Sequence, residues 1–258
     1  MLSKIIDTEL AYLKCFCETE SDQASIRFKD DQLKDMHSHH FNYIPEDISD
    51  EVFVEEVKRA VTQKKSLGQS NFRILTHKDI SKDLLSQLPM MAEGEKFDYY
   101  GIETKNYQAI GSREDARLEL VKDQITEEHG KYVDVAANYM HMTMDFAIRR
   151  INRKFKVYMD ENIPLSLYVC YDKNEPVGNC EAFINRDIMK IEDFDILEMY
   201  QRKGFGSHVL RHLLERALSQ NIEFAYLVTD HNDTAKTMYE KCGFTLMGHR
   251  TELSFKIE

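Results

Sequence analysis

A pair of glycines at 204 and 206, inside the segment QRKGFGSHVL, constrains the fold of this chain more than any other feature. The segment follows an extended apolar pattern at 188–197 and opens a helical pattern. The apolar residues of that helical pattern are Val209, Leu210, Leu213, Leu214, Ala217 and Leu218. They fall on one broad face, as a helix that packs on a sheet requires. The order of strand, glycine turn and amphipathic helix therefore predicts a layered α/β domain.

The glycine turn also predicts an anion-binding site. The first backbone N–H groups of a helix have no helical partners, and they lie at the positive end of the helix dipole. Gly204 and Gly206 have no Cβ, so a ligand oxygen can approach the main chain closely. Gln201, Arg202 and Lys203 add donors and positive charge. This combination suits a pyrophosphate.

Two common phosphate motifs do not match the turn. A P-loop requires GxxxxGK[ST], whereas serine and histidine follow Gly206. A dinucleotide fingerprint requires a third glycine, and Val209 stands at that position. The stretch instead resembles [RQ]xxGx[GA], the acetyl-CoA-binding signature of the GNAT superfamily of N-acetyltransferases, through Gln201, Gly204 and Gly206. A simple glycine-rich turn is the alternative when this stretch is taken alone.

A second segment, HNDTAKTMYEKCGF at 231–244, resembles the second motif of the same superfamily. In that motif an asparagine, an alanine and a tyrosine precede a lysine-rich turn and a Gly-Phe pair. The residues that match in order are Asn232, Ala235, Tyr239, Gly243 and Phe244. With both motifs at the right separation, the chain is similar to the GNAT superfamily over 165–258 and compatible with it from residue 112. The resemblance is not visible over residues 1 to about 105.

The resemblance implies a mixed α/β sheet with the GNAT acyltransferase fold and an N-terminal α/β extension, for which a degenerate second copy of the fold is one explanation. We expect an N-terminal region at 1–105 and an N-acetyltransferase domain at 106–258. Patterns with strand periodicity lie at 165–171, 177–184, 188–197 and 223–229. Before them, a serine-capped pattern at 112–125 and a pattern at about 131–154 predict two helices.

The N-terminal region alternates short helical and extended patterns. Ser49 predicts the cap of a helix that runs to about Lys65, followed by a strand at 72–75 and a helix at 79–88. No [RQ]xxGx[GA] turn occurs in the region, so we expect no second cofactor there. Its role would be to complete the substrate cleft or to make a subunit contact, and a homodimer is the assembly expected in the second case.

The resemblance implies where acetyl-CoA, the cosubstrate, would bind. In GNAT proteins it lies where two parallel strands separate, which here would be 190–197 and 223–229. Main-chain groups near Asp195, Ile196 and Leu197 would pair with the pantetheine arm. The turn would hold the pyrophosphate. Its predicted contact residues are Gln201, Arg202, Lys203, Gly204, Phe205, Gly206 and Ser207.

The second motif implies three further roles. Asn232 would approach the pantetheine or thioester end, and Lys236 would reach a phosphate. Transfer in this superfamily is direct: a neutral amine attacks the thioester carbonyl and the thiolate leaves. Tyr239 matches the position of the tyrosine that protonates the leaving sulfur in many members, so it is the predicted general acid. A tyrosine that only packs beneath the cofactor is the alternative.

Direct attack also needs a base, because most amines are protonated at neutral pH. The candidates are the carboxylates of Glu192, Asp193 and Asp195, with Glu181 on the preceding strand. Strand alternation places Asp193 and Asp195 on one face, which is the substrate side if Phe194 is buried. Asp195 is nearest the expected thioester, and we assign Asp195 and Glu192 as catalytic. Alternatively, the carboxylates only attract the amine while water removes the proton.

Composition bears on the partners and the location. A net charge of −11 opposes nucleic-acid binding and weakly favours a cationic substrate. No run of about 18 apolar residues and no secretory pattern occurs, so we expect no membrane association. Five cysteines without metal-type spacing indicate reduced thiols in a cytoplasmic protein. We expect no metal site, and we interpret the histidine-rich segment at 37–40 as a solvated loop.

The predicted function is acetyl transfer from acetyl-CoA to a primary amine of a small, cationic molecule. Two alternatives stay open at this point: a non-catalytic acetyl-CoA sensor, and an acetyltransferase that acts on a protein amine. Tyr239 separates catalysis from sensing, since only a catalyst needs an acid there. An enclosed acceptor pocket would favour a small molecule over a protein.

Overall fold

The computed structural model describes residues 1–22 and 24–257 and divides them into two compact units. The first unit comprises Met1–Cys15, Tyr100–Val228 and Asp233–Met247. The second unit comprises Phe16–Tyr99, Thr229–Asn232 and Gly248–Glu258. Each unit consists of three separate segments. The boundary between the longest segments of the two units lies between Tyr99 and Tyr100. The division into domains at 105 stays a prediction.

Seven helices and eleven strands make up the described part of the chain. The helices are α1 (Leu2–Lys14), α2 (Asp50–Ser66), α3 (Lys82–Ser86), α4 (Gln124–Asn138), α5 (Met144–Tyr158), α6 (Phe205–Ser219) and α7 (Lys236–Lys241). The strands are β1 (Glu18–Asp22), β2 (Ser25–Lys29), β3 (Phe41–Ile44), β4 (Asn71–Thr76), β5 (Ala92–Glu103), β6 (Ala116–Leu120), β7 (Leu165–Asp172), β8 (Glu175–Asn185), β9 (Ile188–Ile196), β10 (Phe224–Asp230) and β11 (Thr245–Lys256). The mixed α/β fold class is therefore confirmed.

The sheet of the first unit contains the strands β10-β9-β8-β7-β6 in this order, and each of its faces carries a hydrophobic core. Strands β9 and β10 are parallel, whereas β6, β7, β8 and β9 pair antiparallel with their neighbours. Cys170 and Cys180 point to one face and pack with Val209 of α6. Val169 points to the other face and packs with Phe155 of α5. The strands are buried on both faces, which explains their near-continuous apolar sequences.

The sequence prediction for the strands and α6 is confirmed, but the helix predicted at 112–125 is wrong. Residues 116–120 form β6, where Leu118 lies opposite Cys170 of β7. A new helix, α4, then begins after Asp123, whose carboxylate accepts from the N–H of Thr126 at 2.9 Å. Ile125, the last residue of the predicted helix, is 67% exposed. Pairing with β7 outweighs a local spacing that suits a helix equally well.

The predicted helical pattern at 131–154 covers two helices rather than one. Helix α4 ends at Asn138, and α5 begins after Thr143, whose hydroxyl accepts from the N–H of Phe146. Both helices lie in the first unit, and α1 belongs to it as well. The first unit therefore contains an N-terminal helix that the sequence pattern did not assign to it.

The sheet of the second unit has the order β1-β2-β3-β4-β11-β5, and α2 packs on it. The predicted cap is confirmed, because the side chain of Ser49 accepts from the N–H of Val52 at 3.3 Å. Val57 and Val61 of α2 pack with Ile74 of β4. The helix predicted at 79–88 is shorter than expected and occupies Lys82–Ser86.

The prediction of a solvated loop at the histidine-rich segment is wrong for His39. His39 is 4% exposed, and its Nδ1 lies 3.0 Å from Oδ2 of Asp30. Its ring stacks on Phe16 with a centroid distance of 5.0 Å. A carboxylate partner and an aromatic neighbour therefore account for the burial of His39 in the second unit.

Among the described residues, no helix combines the length and the apolar character needed to cross a membrane.

Candidate functional site

The two parallel strands of the first unit separate partway along their length. The paired register of β9 and β10 runs from Ile188 opposite Phe224 to Ile191 opposite Leu227. Strand β9 continues to Ile196 and pairs on its other side with β8, where Asp195 lies opposite Asn179. The far half of β9 is thus held by β8, while its pairing with β10 has ended. This is the strand geometry that the GNAT resemblance implies for the acyl arm of the cosubstrate.

The separated part of β9 contains a β-bulge. Between its pairs with Asn179 and Glu181 of β8, β9 holds one residue more than β8, and Asp193 has a positive φ of 43°. The adjacent Gly178 has no room for a side chain, because a Cβ there would lie 2.6 Å from the carbonyl oxygen of Asp195. A bulge re-aims the side chains around it. Here both Asp193 and Asp195 face α4 and α5.

Asp193 forms ion pairs with two cationic side chains of α5. Its carboxylate accepts from Arg150 Nη2 at 2.5 Å and from the ammonium of Lys154. Arg150 in turn donates to both oxygens of Asp134 at 2.9 and 2.7 Å. Burial would raise the pKa of Asp193, but the charges of Arg150 and Lys154 hold that pKa well below its usual range. Asp193 is therefore a permanent anion and a poor proton acceptor.

Asp195 differs from Asp193 in having no direct cationic partner among the described residues. The amide of Asn138 at the end of α4 donates to its Oδ2 at 3.3 Å. Burial, with the negative charges of Asp193 and Asp134, raises the pKa of Asp195 to about 6. A carboxylate with this pKa is ionised at neutral pH and is a much stronger base than an ordinary aspartate. Of the predicted bases, Asp195 has the electrostatics that proton transfer requires.

Asn179 is a residue that sequence reasoning missed. It lies directly opposite Asp195 on β8, so the two side chains share one face of the sheet. Asn179 is 1% exposed, and neither Oδ1 nor Nδ2 has a hydrogen-bond partner among the described residues. Buried amides are almost always hydrogen-bonded, so this side chain needs a polar partner that the chain does not provide. A lone asparagine in a strand carries no signal of this kind in the sequence.

The other two predicted carboxylates are engaged in buried pairs. Glu192 lies 2.9 Å from Lys190, which also pairs with Glu9 of α1 at 2.5 Å. Burial raises the pKa of Glu192, and Lys190 opposes that shift. Glu181 accepts from the hydroxyl of Tyr12 at 2.7 Å, and Tyr158 and Lys154 also donate to it. We therefore favour Asp195 over Glu192 as the base, although both assignments stay predictions.

The glycine turn forms the N-terminus of α6, as predicted. Gly204 caps the helix with a φ of 89°, a conformation that favours glycine, and Arg202 also has a positive φ of 59°. The backbone N–H of His208 donates to the carbonyl of Gly204, which forms the first hydrogen bond of α6. The N–H groups before it project from the end of the helix. Gly206 packs against Met238 of α7.

The remaining turn residues have distinct environments. Gln201 donates from Nε2 to the carbonyl of Ile196 at 2.9 Å, and the N–H of Leu197 donates to Val177. These bonds fix the connection between β9 and the turn. Arg202 and Lys203 are exposed, whereas the Phe205 side chain is 1% exposed and belongs to the core. The hydroxyl of Ser207 lies 3.7 Å from the sulfur of Cys242. Because the ring of Phe205 lies in the core, this residue can contact a ligand only through its main chain.

Two side chains outside the predicted site hold the turn in place. Arg113 lies over the ring of Phe205 at 4.2 Å and donates to the carbonyl of Lys203 at 2.6 Å. His208 is 2% exposed, with Nδ1 3.0 Å from the hydroxyl of Ser112. Burial, followed by the neighbouring His212, lowers the pKa of His208 to about 4, so it is neutral at physiological pH. The segment before β6 thus supports the helix N-terminus.

Tyr239 of α7 is buried in the core of the first unit. It is 8% exposed, and its ring lies 6.5 Å from that of Tyr100 and 6.2 Å from that of Phe244. Burial, followed by the charges of Cys180 and Asp233, raises the pKa of Tyr239 above its usual range. The phenol is therefore protonated at neutral pH, as a general acid must be. The packing alternative also fits this position.

The last two predicted contacts, Asn232 and Lys236, lie in the first half of the second motif. Lys236 is the first residue of α7 and is half-buried in the first unit. Asn232 belongs to the second unit, where its N–H donates to Asp230 Oδ1 at 2.7 Å. Both assignments to the cosubstrate stay predictions.

Comparisons with known proteins bear on the family and on the fold. Residues 137–244 match the acetyltransferase (GNAT) family. The uncharacterized N-acetyltransferase CgeE of Bacillus subtilis (strain 168) is 38% identical over 103 residues, which cover 38% of this chain and 39% of that relative. The match thus spans well under half the length of the curated relative.

Two solved structures share the fold over nearly the whole chain. A functionally unknown conserved protein from Staphylococcus epidermidis ATCC 12228 has a TM-score of 0.77 and 17% identity, covering 94% of this chain and 95% of that one. A GCN5-related N-acetyltransferase from Kribbella flavida has a TM-score of 0.73 and 11% identity, covering 97% of this chain and 94% of that one. At these identities the likeness establishes the fold alone.

Proposed function

From the premise that the chain contains an N-acetyltransferase domain of the GNAT family, we propose that it transfers the acetyl group of acetyl-CoA to a primary amine of a small, cationic molecule. The observation that carries the proposal is Asp195. Its carboxyl has a pKa of about 6 and lies on β9 beyond the point where pairing with β10 ends. A base of this strength beside separated strands suits deprotonation of an amine during direct attack.

The residues of the first unit fit acetyl-CoA. The main-chain amides at the start of α6, with Gly204 in a left-handed conformation, would hold the pyrophosphate. The unpaired edge of β9 would align the pantetheine arm. When bound, acetyl-CoA supplies a thioester carbonyl as the electrophile. Because the ring of Phe205 is buried, this residue would contact the cosubstrate through its main chain, whereas the side chains of Arg202 and Lys203 are exposed and accessible to it.

Asp195 would accept the proton of the attacking amine. With a pKa of about 6, roughly nine-tenths of this group is ionised at neutral pH. Asn179 and Asn138 flank it, and the unsatisfied amide of Asn179 would bind the acceptor or an ordered water. Tyr239, protonated at neutral pH, would give its proton to the leaving thiolate.

The charge around Asp195 supports a cationic acceptor. The carboxylates near it are Asp134, Glu181 and Asp193, and the cations near it are Arg150 and Lys154. With Asp195 included, carboxylates outnumber cations, so the local field attracts positive charge. The formal charge of −11 for the whole chain has the same sign. All five cysteines are free, which supports the proposed reducing, cytoplasmic location. The homodimer stays a prediction.

A transfer assay tests the proposal. Polyamines, aminoglycosides, amino acids and peptides are offered with acetyl-CoA, and release of free thiol and acetylated amine is measured. We expect a polyamine or another small cationic amine to give the highest kcat/KM, and Asp195→Asn to lower it at least tenfold. Asp187→Asn, at the opposite end of the β8–β9 pair, is the matched control and should keep full activity. Preference for peptides, or full activity in Asp195→Asn, would contradict the proposal.

A further inference from the structure

The second unit contains a cationic cavity that acetyl transfer does not use. Its volume is about 1190 Å³, and it lies among β2, the end of α2 and the segment that follows α2. Six lysine or arginine side chains and three carboxylates line it, so it is net positive in a chain whose formal charge is −11. Carboxylates outside the lining also pair with several of these cations, so the charge count alone does not identify a ligand.

Most of the lining cations have carboxylate partners. Lys29 lies within 3.5 Å of Glu18, Glu20 and Asp31. Arg73 pairs with Glu252. These cations are compensated, and they give no reason to invoke a ligand. Lys64 is different.

Lys64 lies in the last turn of α2 and lines the cavity. It is 9% exposed, and no described residue lies within ion-pair or hydrogen-bond distance of its ammonium. Its electrostatic neighbour has the same charge: burial, followed by Arg27, lowers the pKa of Lys64. The stem of Lys64 is buried while its ammonium stays accessible from the cavity, where the nearby positive charge of Arg27 favours an anion between the two groups.

The sheet beneath α2 adds two more unsatisfied groups. Arg27 pairs with Glu20 through Nη2, while its Nε is buried and has no partner among the described residues. Asn42 on β3 lies directly opposite Arg27 and is 6% exposed. Its Oδ1 is buried and has no hydrogen-bond partner among the described residues. Directly opposite residues share a face of the sheet. Ile74, opposite Asn42, packs in the core beneath α2, so this is the face that α2 covers.

We propose that the second unit binds a phosphate-bearing small molecule between Lys64 and Arg27. The phosphoryl oxygens would accept from the Lys64 ammonium and the Arg27 guanidinium, which is the pairing that these cations make best. The unsatisfied Oδ1 of Asn42 lies on the same face of the sheet but does not line the cavity, so we assign it no contact with the ligand. The site is built entirely from the second unit and takes no part in the proposed acetyl transfer.

Titration of the full chain with inorganic phosphate tests the proposal. Calorimetry and thermal unfolding are followed at constant ionic strength, with chloride as the balancing anion. We expect saturable binding by the unaltered chain, loss of at least tenfold in affinity for Lys64→Met, and unchanged affinity for Lys65→Met, the exposed neighbour on the same helix. Arg27→Gln is the second variant and should also weaken binding.

The arms of the experiment identify the source of the phosphate. A sugar phosphate and a nucleoside diphosphate are titrated beside inorganic phosphate. Tighter binding of one of them, with the same loss in Lys64→Met, would show that the site also recognises the attached group. Absence of saturable binding for all three would overturn the proposal. Equal affinity in Lys64→Met and the unaltered chain would overturn it too. The loss of affinity in Lys64→Met separates this site from the anion-binding turn at the start of α6, so the result does not depend on the proposed transferase function.

Discussion

Replacement of Asn138 by alanine should move the acidic limb of the pH–rate profile to higher pH. Burial, Asp193 and Asp134 raise the pKa of Asp195 to about 6, and the hydrogen bond from Asn138 limits that rise. A hydrogen bond to a charged group contributes about 1.5–3 kcal/mol. At 3.3 Å the present bond belongs at the lower end. Since one pKa unit corresponds to about 1.4 kcal/mol, its loss raises the pKa by roughly one unit.

The change in rate follows from the ionised fraction of Asp195. With a pKa of about 6, half of the base is ionised at pH 6, whereas with a pKa of about 7 roughly one-eleventh is ionised. We therefore expect kcat/KM of Asn138→Ala to fall about fivefold at pH 6 and about twofold at pH 7, with no change at pH 9. Protonation of the acceptor amine affects both proteins equally and cancels in the ratio.

The assay is kcat/KM for the best acceptor between pH 5 and pH 9 at saturating acetyl-CoA. Asn162→Ala removes an exposed amide whose Nδ2 donates to Asp160, and it should leave the profile unchanged. An acidic limb that stays in place in Asn138→Ala would refute the electrostatic reasoning. A loss of equal size at every pH would refute it as well, because a purely structural defect has no reason to follow the ionisation of Asp195.

Three further predictions use other measurements. The raised pKa of Asp195 means that the folded protein binds this proton more tightly than the unfolded chain, so ionisation above about pH 6 costs stability. Asp195→Asn should therefore raise the free energy of unfolding, measured in urea, by about 1–3 kcal/mol at pH 8 and by little at pH 4. An equal increase at the two pH values would contradict this reasoning. Gly178→Ala places a Cβ 2.6 Å from the carbonyl of Asp195 and should lose about 1–3 kcal/mol, whereas Gly111→Ala meets no atom within 4 Å and should match the unaltered chain in the same denaturation experiment. Tyr239→Phe should lower kcat at least about tenfold with acetyl-CoA affinity retained, and unchanged turnover would assign the ring to packing.

The local order of structure in the C-terminal half could be predicted because its signals are local. Short strand-like apolar runs identify the strands from β7 to β9, and the glycine turn with its apolar stripe identifies α6. The failure at 112–125 has the opposite cause. Leu118 and Val121 are spaced for a helix, but the backbone of β6 pairs with β7, a partner far along the chain. The local sequence around β6 does not indicate which distant strand it pairs with.

The candidate site was only partly predictable for the same reason. Asp195 and Asp193 look alike in the sequence, and the notable difference between them is that Arg150 and Lys154 contact Asp193. Those cations lie on α5, about forty residues earlier in the chain. Asn179 has no sequence signal at all, because its significance depends on the register with β9 and on the absence of a partner among the described residues.

The sequence by itself determined the resemblance to the GNAT superfamily, the order of strands and helices around the glycine turn, and the chemical types of the residues at the candidate site. These depend on glycine conformation, hydrophobic period and spacing, which neighbouring residues specify. The tertiary structure alone decided that α1 belongs to the first unit, where Tyr12 donates to Glu181. It also decided which carboxylate can serve as a base. A pKa depends on burial and on charges a few ångströms away, and folding brings those charges from distant parts of the chain.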